Sequence, residues 1–540
     1  MGDLRTIPDI LSDAAATPHG VTFIDRGLET TRSYRDILDA SRRAAASLTA
    51  AGLHRGDLVA LVLRDPEAFL TSLFGASIAG IVPALVYPPM TTVDLPAYFD
   101  GVQRVIRSAG ARGVIADESL VRGFEAMRQS TRRLEIVLAG ERLTQALPAH
   151  HDPVTLDDLA FVQFTSGSTS TPKGVTLTHR NVAANVAAVN GPHGLGTREH
   201  DVAVSWLPLY HDMGLVGMLF GALHAGCRAV LIAPHAFVKR PIDWLRAISR
   251  YRGSISFAPT FAYDLCLRRV KDRDLEGLDL SSWRVAGCGA EPIHGATLRA
   301  FAEKFAPAGF RAGSLLASYG LAEHVVAATL APLSRPVRVE SIGSDELVSC
   351  GRPLTDHRVA IVDEAGHPLP EGKTGEIVLA GSSVMLGYYR QDVLTAETLR
   401  GGWLHTGDLG CLLDGERFVC GRAKDVIIAN GRKFHPQDLE GAVDDVDGVR
   451  RGRVVAFGVR EPGRADRVVI LVEPKGAAAE DVVAAAIRRR ISDLFGLYVD
   501  RVACAPAGTI TRTTSGKLQR AAAKSRYERG ELLAELNADR

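Results

Sequence analysis

The chain has 540 residues, and at about 150 residues per domain this length predicts more than one structural unit. Hydrophobic residues make up 46% and charged residues 23%, so the chain can bury a large core and is not a disordered protein. Its 63 basic and 62 acidic side chains leave a net charge of +1, which gives no electrostatic reason to expect a nucleic-acid partner. Seven widely spaced cysteines without a CxxC pair argue against a disulfide framework or a zinc ribbon, and they fit a reducing compartment.

Two apolar stretches, 69–89 and 215–234, are about as long as a membrane span. Both are interrupted by glycine and by polar or basic residues, including Ser72 and Arg228. A buried helix followed by a buried parallel strand explains each stretch better than a membrane helix does. The first residues of the chain contain acids and no long apolar run, so we expect no secretory signal. We therefore predict a soluble, cytoplasmic protein without membrane insertion.

The first two thirds of the chain alternate short apolar strands with helical patterns, which is typical of βαβ units and a mostly parallel sheet. The strands predicted in this part cover 159–165, 229–233, 255–258 and 285–288, and the helices cover 242–248 and 298–305. After about Arg352 the pattern changes to short strands separated by turns. The strands predicted there cover 357–363, 375–380, 454–459 and 468–472, with a helix beyond Gln437 and a basic helix from Lys517.

The polar run 421–425 is the best candidate for a domain boundary. We predict an α/β protein with a large N-terminal domain over 1–422 and a small α+β C-terminal domain over 423–540. The N-terminal domain is expected to contain two mixed or parallel sheets flanked by helices. A β-rich subdomain is expected at about 352–422.

A segment rich in hydroxyl groups and glycine follows the predicted strand 159–165. Backbone N–H groups and hydroxyls in such a loop can face phosphate oxygens, while a lysine neutralises their charge. The residues assigned to this loop are Thr165, Ser166, Gly167, Ser168, Thr169 and Lys173. It is not a Walker A loop, because Pro172 and Gly174 flank the lysine. A Ser/Thr-rich surface turn is the alternative interpretation.

Four further elements follow along the chain. Tyr319 lies four residues before Glu323, so its ring could stack on a purine while the carboxylate holds Mg²⁺ beside phosphates. Asp408 on a tight turn could bridge the two hydroxyls of a ribose, and Arg422 could donate to the same ribose. A polar segment near the C-terminus presents Lys517. Each element alone has an ordinary explanation as a turn, a cap or a solvated charge, but the five together indicate a nucleotide site.

This order of motifs resembles the adenylate-forming superfamily of acyl-CoA synthetases, nonribosomal peptide adenylation domains and luciferases, and the resemblance spans nearly the whole chain. Within that superfamily the sequence looks most similar to the fatty acyl-AMP ligases. The segments that carry this similarity are SWLPLYHDMG (205–214), APTFAYDL (258–265), LVSCGRP (347–353) and HPQDLE (435–440).

The resemblance implies that a carboxylate attacks the α-phosphate of ATP and gives an acyl-adenylate and pyrophosphate. Lys517 would bridge the carboxylate and the α-phosphate, and Glu323 would hold Mg²⁺. The loop from Thr165 to Gly174 would hold the departing phosphates. Because two anions meet in this reaction, cations placed where the charge builds lower the barrier. ATP and Mg²⁺ are therefore the expected cofactors.

The resemblance also implies where the nucleobase and the acyl chain bind. The adenine slot would be formed by Gly289, Ala290 and Glu291 on one wall and by Ser318, Tyr319 and Gly320 on the other. Ser318 stands where many relatives carry an amide or an acid that reads the adenine amino group. The substrate pocket would contain His211, which orients the carboxylate, and Met213, Phe261 and Tyr263 along a chain tunnel. Ordinary core packing is the alternative for all four pocket residues.

The C-terminal domain is implied to be mobile and to rotate about a single hinge residue, which matches Lys424. One orientation would deliver Lys517 for adenylation, and another would open the site for acyl transfer. The expected acceptor is the phosphopantetheine thiol of an acyl carrier protein in trans.

Two alternative reactions and one alternative class of protein stay open. The stretch from Glu323 to Cys350 is short for a fatty acyl-AMP ligase, so free CoA is an alternative acceptor. Adenylation of a small aryl or amino acid for natural-product assembly is the second alternative. A binding protein built on an inactive scaffold would be expected to lack a site residue, whereas Lys517, Glu323, Asp408 and Arg422 are all present.

Overall fold

The computed structural model describes residues 4–89, 95–165, 172–342, 345–429, 432–459, 467–476, 479–512 and 518–532. In chain order its α-helices are α1 (Ile7–Ala14), α2 (Tyr34–Ala50), α3 (Pro66–Ile78), α4 (Leu95–Ala109), α5 (Glu118–Ser130), α6 (His179–Asn190), α7 (Gly221–Ala225), α8 (Pro234–Lys239), α9 (Ile242–Tyr251), α10 (Thr260–Arg269), α11 (Gly295–Phe305), α12 (Asp392–Thr398), α13 (Pro436–Asp444), α14 (Glu480–Phe495) and α15 (Arg520–Glu528). A π-helix covers Met213–Phe220, and the 3₁₀-helices are Gly140–Gln145, Asp272–Leu275, Ala306–Ala308, Ala312–Ser314, Ala322–His324 and Ala423–Asp425.

The strands of the first two thirds of the chain are β1 (Gly20–Asp25), β2 (Leu28–Ser33), β3 (Leu58–Val62), β4 (Val82–Leu85), β5 (Gly113–Ala116), β6 (Ile136–Ala139), β7 (Leu159–Thr165), β8 (Lys173–Thr178), β9 (Val202–Ser205), β10 (Arg228–Ile232), β11 (Ile255–Ala258), β12 (Val285–Cys288), β13 (Leu315–Tyr319), β14 (Thr329–Leu330), β15 (Val339–Ile342), β16 (Asp345–Val348) and β17 (Arg352–Pro353). Those of the last third are β18 (Arg358–Val362), β19 (Gly375–Ala380), β20 (Gly387–Tyr388), β21 (Leu399–Arg400), β22 (Trp403–Leu413), β23 (Glu416–Arg422), β24 (Ile427–Ala429), β25 (Arg432–Phe434), β26 (Val449–Val459), β27 (Arg467–Pro474) and β28 (Arg501–Cys504).

The larger of the two main sheets has nine strands in the order β17-β14-β13-β12-β11-β9-β10-β1-β2. Its central strands β13, β12, β11, β9, β10 and β1 all pair in parallel. Every residue of β11 and of β12 is buried, as expected for parallel strands covered by helices on both faces. The carboxyl ends of β9, β11, β12 and β13 therefore meet at one edge of the sheet, where ligands bind in open α/β sheets.

The second main sheet has seven strands in the order β20-β8-β7-β4-β3-β5-β6. Strands β7, β4, β3, β5 and β6 are parallel, whereas β8 forms an antiparallel hairpin with β7. In this hairpin Thr165 lies opposite Lys173. The two ends of the predicted phosphate loop are thus held together by the sheet.

These two sheets confirm the predicted α/β class with its mixed and parallel sheets. Three of the four strands predicted for this part have the predicted bounds, and the fourth, β10, lies one residue earlier. The apolar stretch 69–89 contains most of α3 followed by β4, and 215–234 contains most of the π-helix followed by α7 and β10. Within the described ranges, no helix is both long and apolar enough to cross a membrane.

The last part of the chain builds smaller sheets. Strands β18, β19, β22, β21 and β23 form an antiparallel sheet within the predicted β-rich region. Beyond it, β26 pairs with β27 antiparallel, and β27 pairs with β28 in parallel. Among the residues that the structure describes from Ile427 onward, the buried apolar side chains form two clusters, which contain no buried residue from the preceding sheets. The domain limits at 422 and 423 remain a prediction.

Candidate active site

The first part of the site lies where β12 and β13 end side by side. The Ser318 hydroxyl donates to the Cys288 carbonyl at 3.2 Å, which fixes the two strand ends to each other. A Cβ on Gly289 would lie 2.6 Å from Ser318 Oγ, so a larger residue there would have to displace this bonded hydroxyl. Ala290 follows with a φ of 68°, a left-handed conformation that is uncommon for a residue with a side chain. The two predicted walls of the adenine slot are therefore adjacent, and the backbone turns sharply between β12 and Glu291.

Tyr319, Asp408 and Arg422 form a hydrogen-bonded group beside these strand ends. The Tyr319 hydroxyl donates to Asp408 Oδ2 at 2.8 Å, and Arg422 Nε donates to Asp408 Oδ1 at 2.9 Å. Asp408 and Arg422 face each other in the β22–β23 pair. Burial raises the pKa of Asp408, and the nearby Arg422 charge and the Tyr319 bond only partly offset this effect. Tyr319, Asp408 and Arg422, which lie up to about a hundred positions apart in the sequence, thus meet around one carboxylate. Each oxygen of this carboxylate keeps a further lone pair that can accept a bond from a ligand hydroxyl.

The loop after β13, residues 320–327, is held by a side chain of α6. The Asn185 amide is completely buried and donates to the carbonyls of His324 at 3.2 Å and Ala327 at 2.8 Å. A Cβ on Gly320 would lie 1.8 Å from the Val326 carbonyl oxygen, so this turn requires glycine. The sequence reasoning missed Asn185, because an asparagine within an apolar helix carries no signal of a distant partner.

Glu323 lies in the short 3₁₀-helix of this loop and contacts a residue that the sequence reasoning also missed. The Tyr388 hydroxyl donates to Glu323 Oε1 at 2.8 Å, and Lys173 Nζ lies 5.2 Å from the centre of the Tyr388 ring. Strand β20, which carries Tyr388, pairs with Val175 and Thr176 of β8, and Tyr388 lies opposite Val175, two residues after Lys173. Partial burial lowers the pKa of Lys173, as does the positive charge of Lys424, while the Glu323 charge acts in the opposite direction. The Glu323 carboxylate and the Lys173 ammonium group thus both contact Tyr388, close to the start of β8.

Glu323 is compatible with a magnesium ion that is held mainly by phosphates. Mg²⁺ usually takes one or two protein carboxylates and completes its octahedron with water and phosphate oxygens. In the part of the chain that the structure describes, no three His, Cys, Asp or Glu side chains gather into a metal cage. The half-buried Glu323, with one oxygen bonded to Tyr388, suits the single-carboxylate arrangement.

The predicted acyl-pocket residues follow β9 and β11 at the same edge of the sheet. His211 and Met213 are half-buried where the π-helix begins, a type of helix that often occurs at functional sites. Phe261 is also half-buried, and its ring centre lies 5.9 Å from that of Trp206. Its backbone N–H donates to Glu291 Oε1 at 2.6 Å, so this carboxylate caps the start of α10.

Tyr263 is placed differently from the other predicted pocket residues. It is completely buried, its hydroxyl donates to the Gly287 carbonyl at 2.8 Å, and its ring contacts Trp244 and Phe301 edge to face. These are the contacts of a core residue, the alternative that the sequence left open. The helical period explains the difference, because Tyr263 stands two residues after Phe261 on α10 and so points to another side.

Several predicted site residues have no described placement. Ser166, Gly167, Ser168, Thr169 and Lys517 lie outside the described residues, and for Thr165 only the backbone is described. Lys424 lies exposed on the 3₁₀-helix Ala423–Asp425, directly after β23. Near it, Gln437 Nε2 of α13 donates to the Cys420 carbonyl at 2.6 Å. The end of β23, which precedes the predicted hinge, thus contacts α13.

The chain is similar to known proteins over most of its length. The family model described as AMP-binding enzyme matches residues 11–389. A provisionally named acyl-CoA synthetase from Caulobacter vibrioides is 37% identical over 98% of this chain and 96% of its own length. The medium-chain-fatty-acid–[acyl-carrier-protein] ligase JamA from Moorena producens is 33% identical over 98% of this chain and 96% of its own. A structure from work on fatty acyl-adenylate ligases of E. coli and L. pneumophila superposes with a TM-score of 0.92 at 34% identity, covering 98% of this chain and 99% of that chain.

Proposed function

Since this chain belongs to the AMP-binding enzyme family, we propose that it activates a fatty acid with ATP to give an acyl-adenylate and pyrophosphate. It then passes the acyl group to the phosphopantetheine thiol of an acyl carrier protein in trans. The observation that carries the proposal is the meeting of Tyr319, Asp408 and Arg422 beside the carboxyl ends of β12 and β13. An aromatic ring and a buried carboxylate in one place suit the base and the ribose of a nucleotide.

In the first half-reaction the substrate carboxylate attacks the α-phosphorus of ATP, and the bond from this phosphorus to the β-phosphate oxygen breaks. Lys517 is proposed to bridge the two anions as they meet, and Lys173 with the 166–171 segment to hold the leaving pyrophosphate. Glu323, oriented by Tyr388, is proposed to hold Mg²⁺, which when bound would neutralise charge on the phosphates. His211 is proposed to orient the substrate carboxylate.

In the second half-reaction the thiol sulfur attacks the acyl carbonyl carbon, the thiol proton is lost, and the bond to AMP breaks. JamA, whose name specifies a carrier protein as acceptor, supports the carrier reading. The relative from Caulobacter vibrioides, named as a CoA synthetase, favours free CoA as the second candidate acceptor. Between the two steps, a rotation of the C-terminal domain about Lys424 is proposed to withdraw the Lys517 segment from the site. The acceptor thiol can then reach the acyl-adenylate.

Product analysis by mass spectrometry tests the proposal. The protein is incubated with ATP, Mg²⁺ and fatty acids from about C4 to about C18, which span what an apolar tunnel can bury. Parallel samples contain no acceptor, CoA, or a carrier protein loaded with phosphopantetheine. Acyl-adenylate that persists with CoA and is consumed by the carrier supports the proposal. Conversion to acyl-CoA makes CoA the acceptor, and absence of any fatty acyl-adenylate overturns the fatty-acid reading in favour of a small aryl or amino acid.

Lys517→Ala is expected to slow acyl-adenylate formation by about a hundred- to a thousandfold, because one preorganised charge at the transition state is lost. The measurement is the initial rate of pyrophosphate release with a saturating fatty acid. Lys524→Ala, on α15 and in an exposed pair with Glu528, is the matched control and should retain the wild-type rate. Equal rates for both variants would remove Lys517 from the mechanism.

A further inference from the structure

The segment that contains Lys517 starts and ends at a fixed base. Arg512, before residues 513–517, and Leu518, after them, form an antiparallel bridge. The Gln519 N–H then donates to the Thr511 carbonyl at 3.1 Å. The described residues on both sides of 513–517 are therefore tied to each other, and Leu518 directly follows Lys517 in the chain.

Arg520, directly after this base, is held by two carboxylates. Its Nε and Nη2 donate to the two oxygens of Glu440, both at 2.8 Å, and its Nη1 donates to Asp425 Oδ2 at 2.8 Å. The Arg520 side chain is 18% exposed and that of Glu440 is 9% exposed. Glu440 Oε1 also accepts from the Ala456 N–H at 3.0 Å. Charge-assisted and bidentate bonds of this kind fix the planar guanidinium in one orientation.

Asp425 stands next to the proposed pivot. It is the residue after Lys424 and the last of the 3₁₀-helix Ala423–Asp425, which continues from β23. Strand β23 in turn ends in Arg422, the partner of Asp408 in the site. The guanidinium of Arg520 thus spans the distance from the pivot to the base of the Lys517 segment.

We infer that Arg520 is a positioning residue for Lys517. Its bond to Asp425 ties the base of the lysine-bearing segment to the pivot, so that the two move as one rigid unit. This inference rests on the proposed function, in which Lys517 acts in adenylation and the C-terminal domain turns about Lys424. With the bond in place, a rotation at the pivot moves the base of the segment by a fixed amount. Without it, Arg520 keeps its two bonds to Glu440 but no longer joins the base to the pivot, so the lysine is placed less accurately.

Asp425→Ala tests this link while leaving the C-terminal domain intact. Arg520→Gln would instead leave the buried Glu440 without its charged partner and destabilise the domain. In Asp425→Ala we expect acyl-adenylate formation to slow by about ten- to a hundredfold, because an error of about 1 Å at a reacting group costs this much. The melting temperature and the ATP dissociation constant should be unchanged. Arg529→Gln, which removes an exposed pair with Glu531, is the matched control and should alter none of these values.

A double-mutant cycle separates positioning from a general structural role. In the Lys517→Ala background, Asp425→Ala should cause no further loss of single-turnover acyl-adenylate formation, because the group on which it acts is gone. A further loss as large as in the wild-type background overturns the inference, as does a wild-type rate in the single variant. If the wild type forms no acyl-adenylate from any acid, the proposed function itself fails. If only Lys517→Ala retains the wild-type rate, the role of that lysine fails and the inference falls with it.

Discussion

The two carboxylates of the site are held in different ways, and this difference fits different ligands. Both oxygens of Asp408 already accept a bond, and the side chain is buried. Glu323 has one oxygen bonded to Tyr388 and is half-buried near Lys173. A buried carboxylate with fixed partners is suited to neutral hydroxyl groups, whereas a partly exposed one beside phosphates can accept a cation.

Tyr388→Phe is expected to weaken magnesium binding by about tenfold, because groups that orient a metal ligand typically contribute ten- to a hundredfold to affinity. The substitution removes only the hydroxyl that donates to Glu323. The measurement is the Mg²⁺ concentration for half-maximal nucleotide binding in calorimetry, together with the same value for activity. Tyr389→Phe is the neighbouring control, since the backbone N–H of Tyr389, rather than its hydroxyl, bonds to the Gly174 carbonyl. Equal magnesium dependence in both variants would contradict a role for Tyr388.

At the level of elements, the site depends on tight loops at the ends of buried strands. The loop after β13 turns back on itself within a few residues, and Asn185 of α6 fixes its far side. Val325 in this loop has a φ of 68°, an uncommon conformation for a β-branched residue. Such a turn persists only because the surrounding structure holds it, which places Glu323 at a defined point beside β20.

Gly320→Ala is expected to destabilise the protein by about 1–3 kcal/mol and to reduce adenylation. The new Cβ would lie 1.8 Å from the Val326 carbonyl oxygen, so the loop that carries Glu323 must shift. Gly441→Ala on α13 is the control, because a Cβ there meets nothing within 4 Å and alanine favours a helix. Chemical denaturation and the rate of pyrophosphate release check both effects. Wild-type stability and rate in Gly320→Ala would show that the loop adapts freely.

At the scale of the whole molecule, the fold buries histidines in their neutral form. His179 is 1% exposed, and its Nδ1 accepts the Ile7 N–H at 3.1 Å. His324 is completely buried, with its Nδ1 3.0 Å from the Ala327 carbonyl. Burial lowers the pKa of His179 to about 4 and the pKa of His324 to about 3. An unfolded histidine has a pKa of about 6.5, so the unfolded chain binds more protons than the folded one between these values.

The free energy of unfolding should therefore fall as the pH is lowered from about 6.5 toward 4. The expected slope is about 1.4 kcal/mol per pH unit for each of the two histidines. His179→Asn keeps an acceptor for the Ile7 N–H and removes the titrating group. The pH dependence of its free energy of unfolding should therefore be shallower by about 1.4 kcal/mol per pH unit. Urea denaturation at pH 7, 6 and 5 provides the comparison. Parallel profiles for the wild type and the variant would contradict this origin of acid sensitivity.

Local patterns in the sequence were sufficient to predict several of the elements and the order of the motifs. Strands β7, β11 and β12 have the predicted bounds, because a buried parallel strand is a short apolar run between turn signals. The helix predicted over 242–248 begins at the predicted residue but extends to Tyr251. The basic helix expected from Lys517 begins at Arg520, three residues later. Element ends depend on capping and tertiary contacts, which a hydrophobic pattern does not contain.

Side-chain type and local spacing were enough to predict the fold class and the family resemblance, and they gave a set of candidate residues for a nucleotide site. Tertiary structure decided their partners: Tyr388 on Glu323, Asn185 beneath the loop, and Asp425 on Arg520. It also placed Tyr263 among core aromatic rings rather than beside the other pocket residues. The three hydrogen bonds to Glu323, from Asn185 and to Asp425 join residues 65 to 139 positions apart, and whether such residues meet depends on strand order and helix rotation. The local hydrophobic pattern of a sequence does not contain this information about tertiary packing.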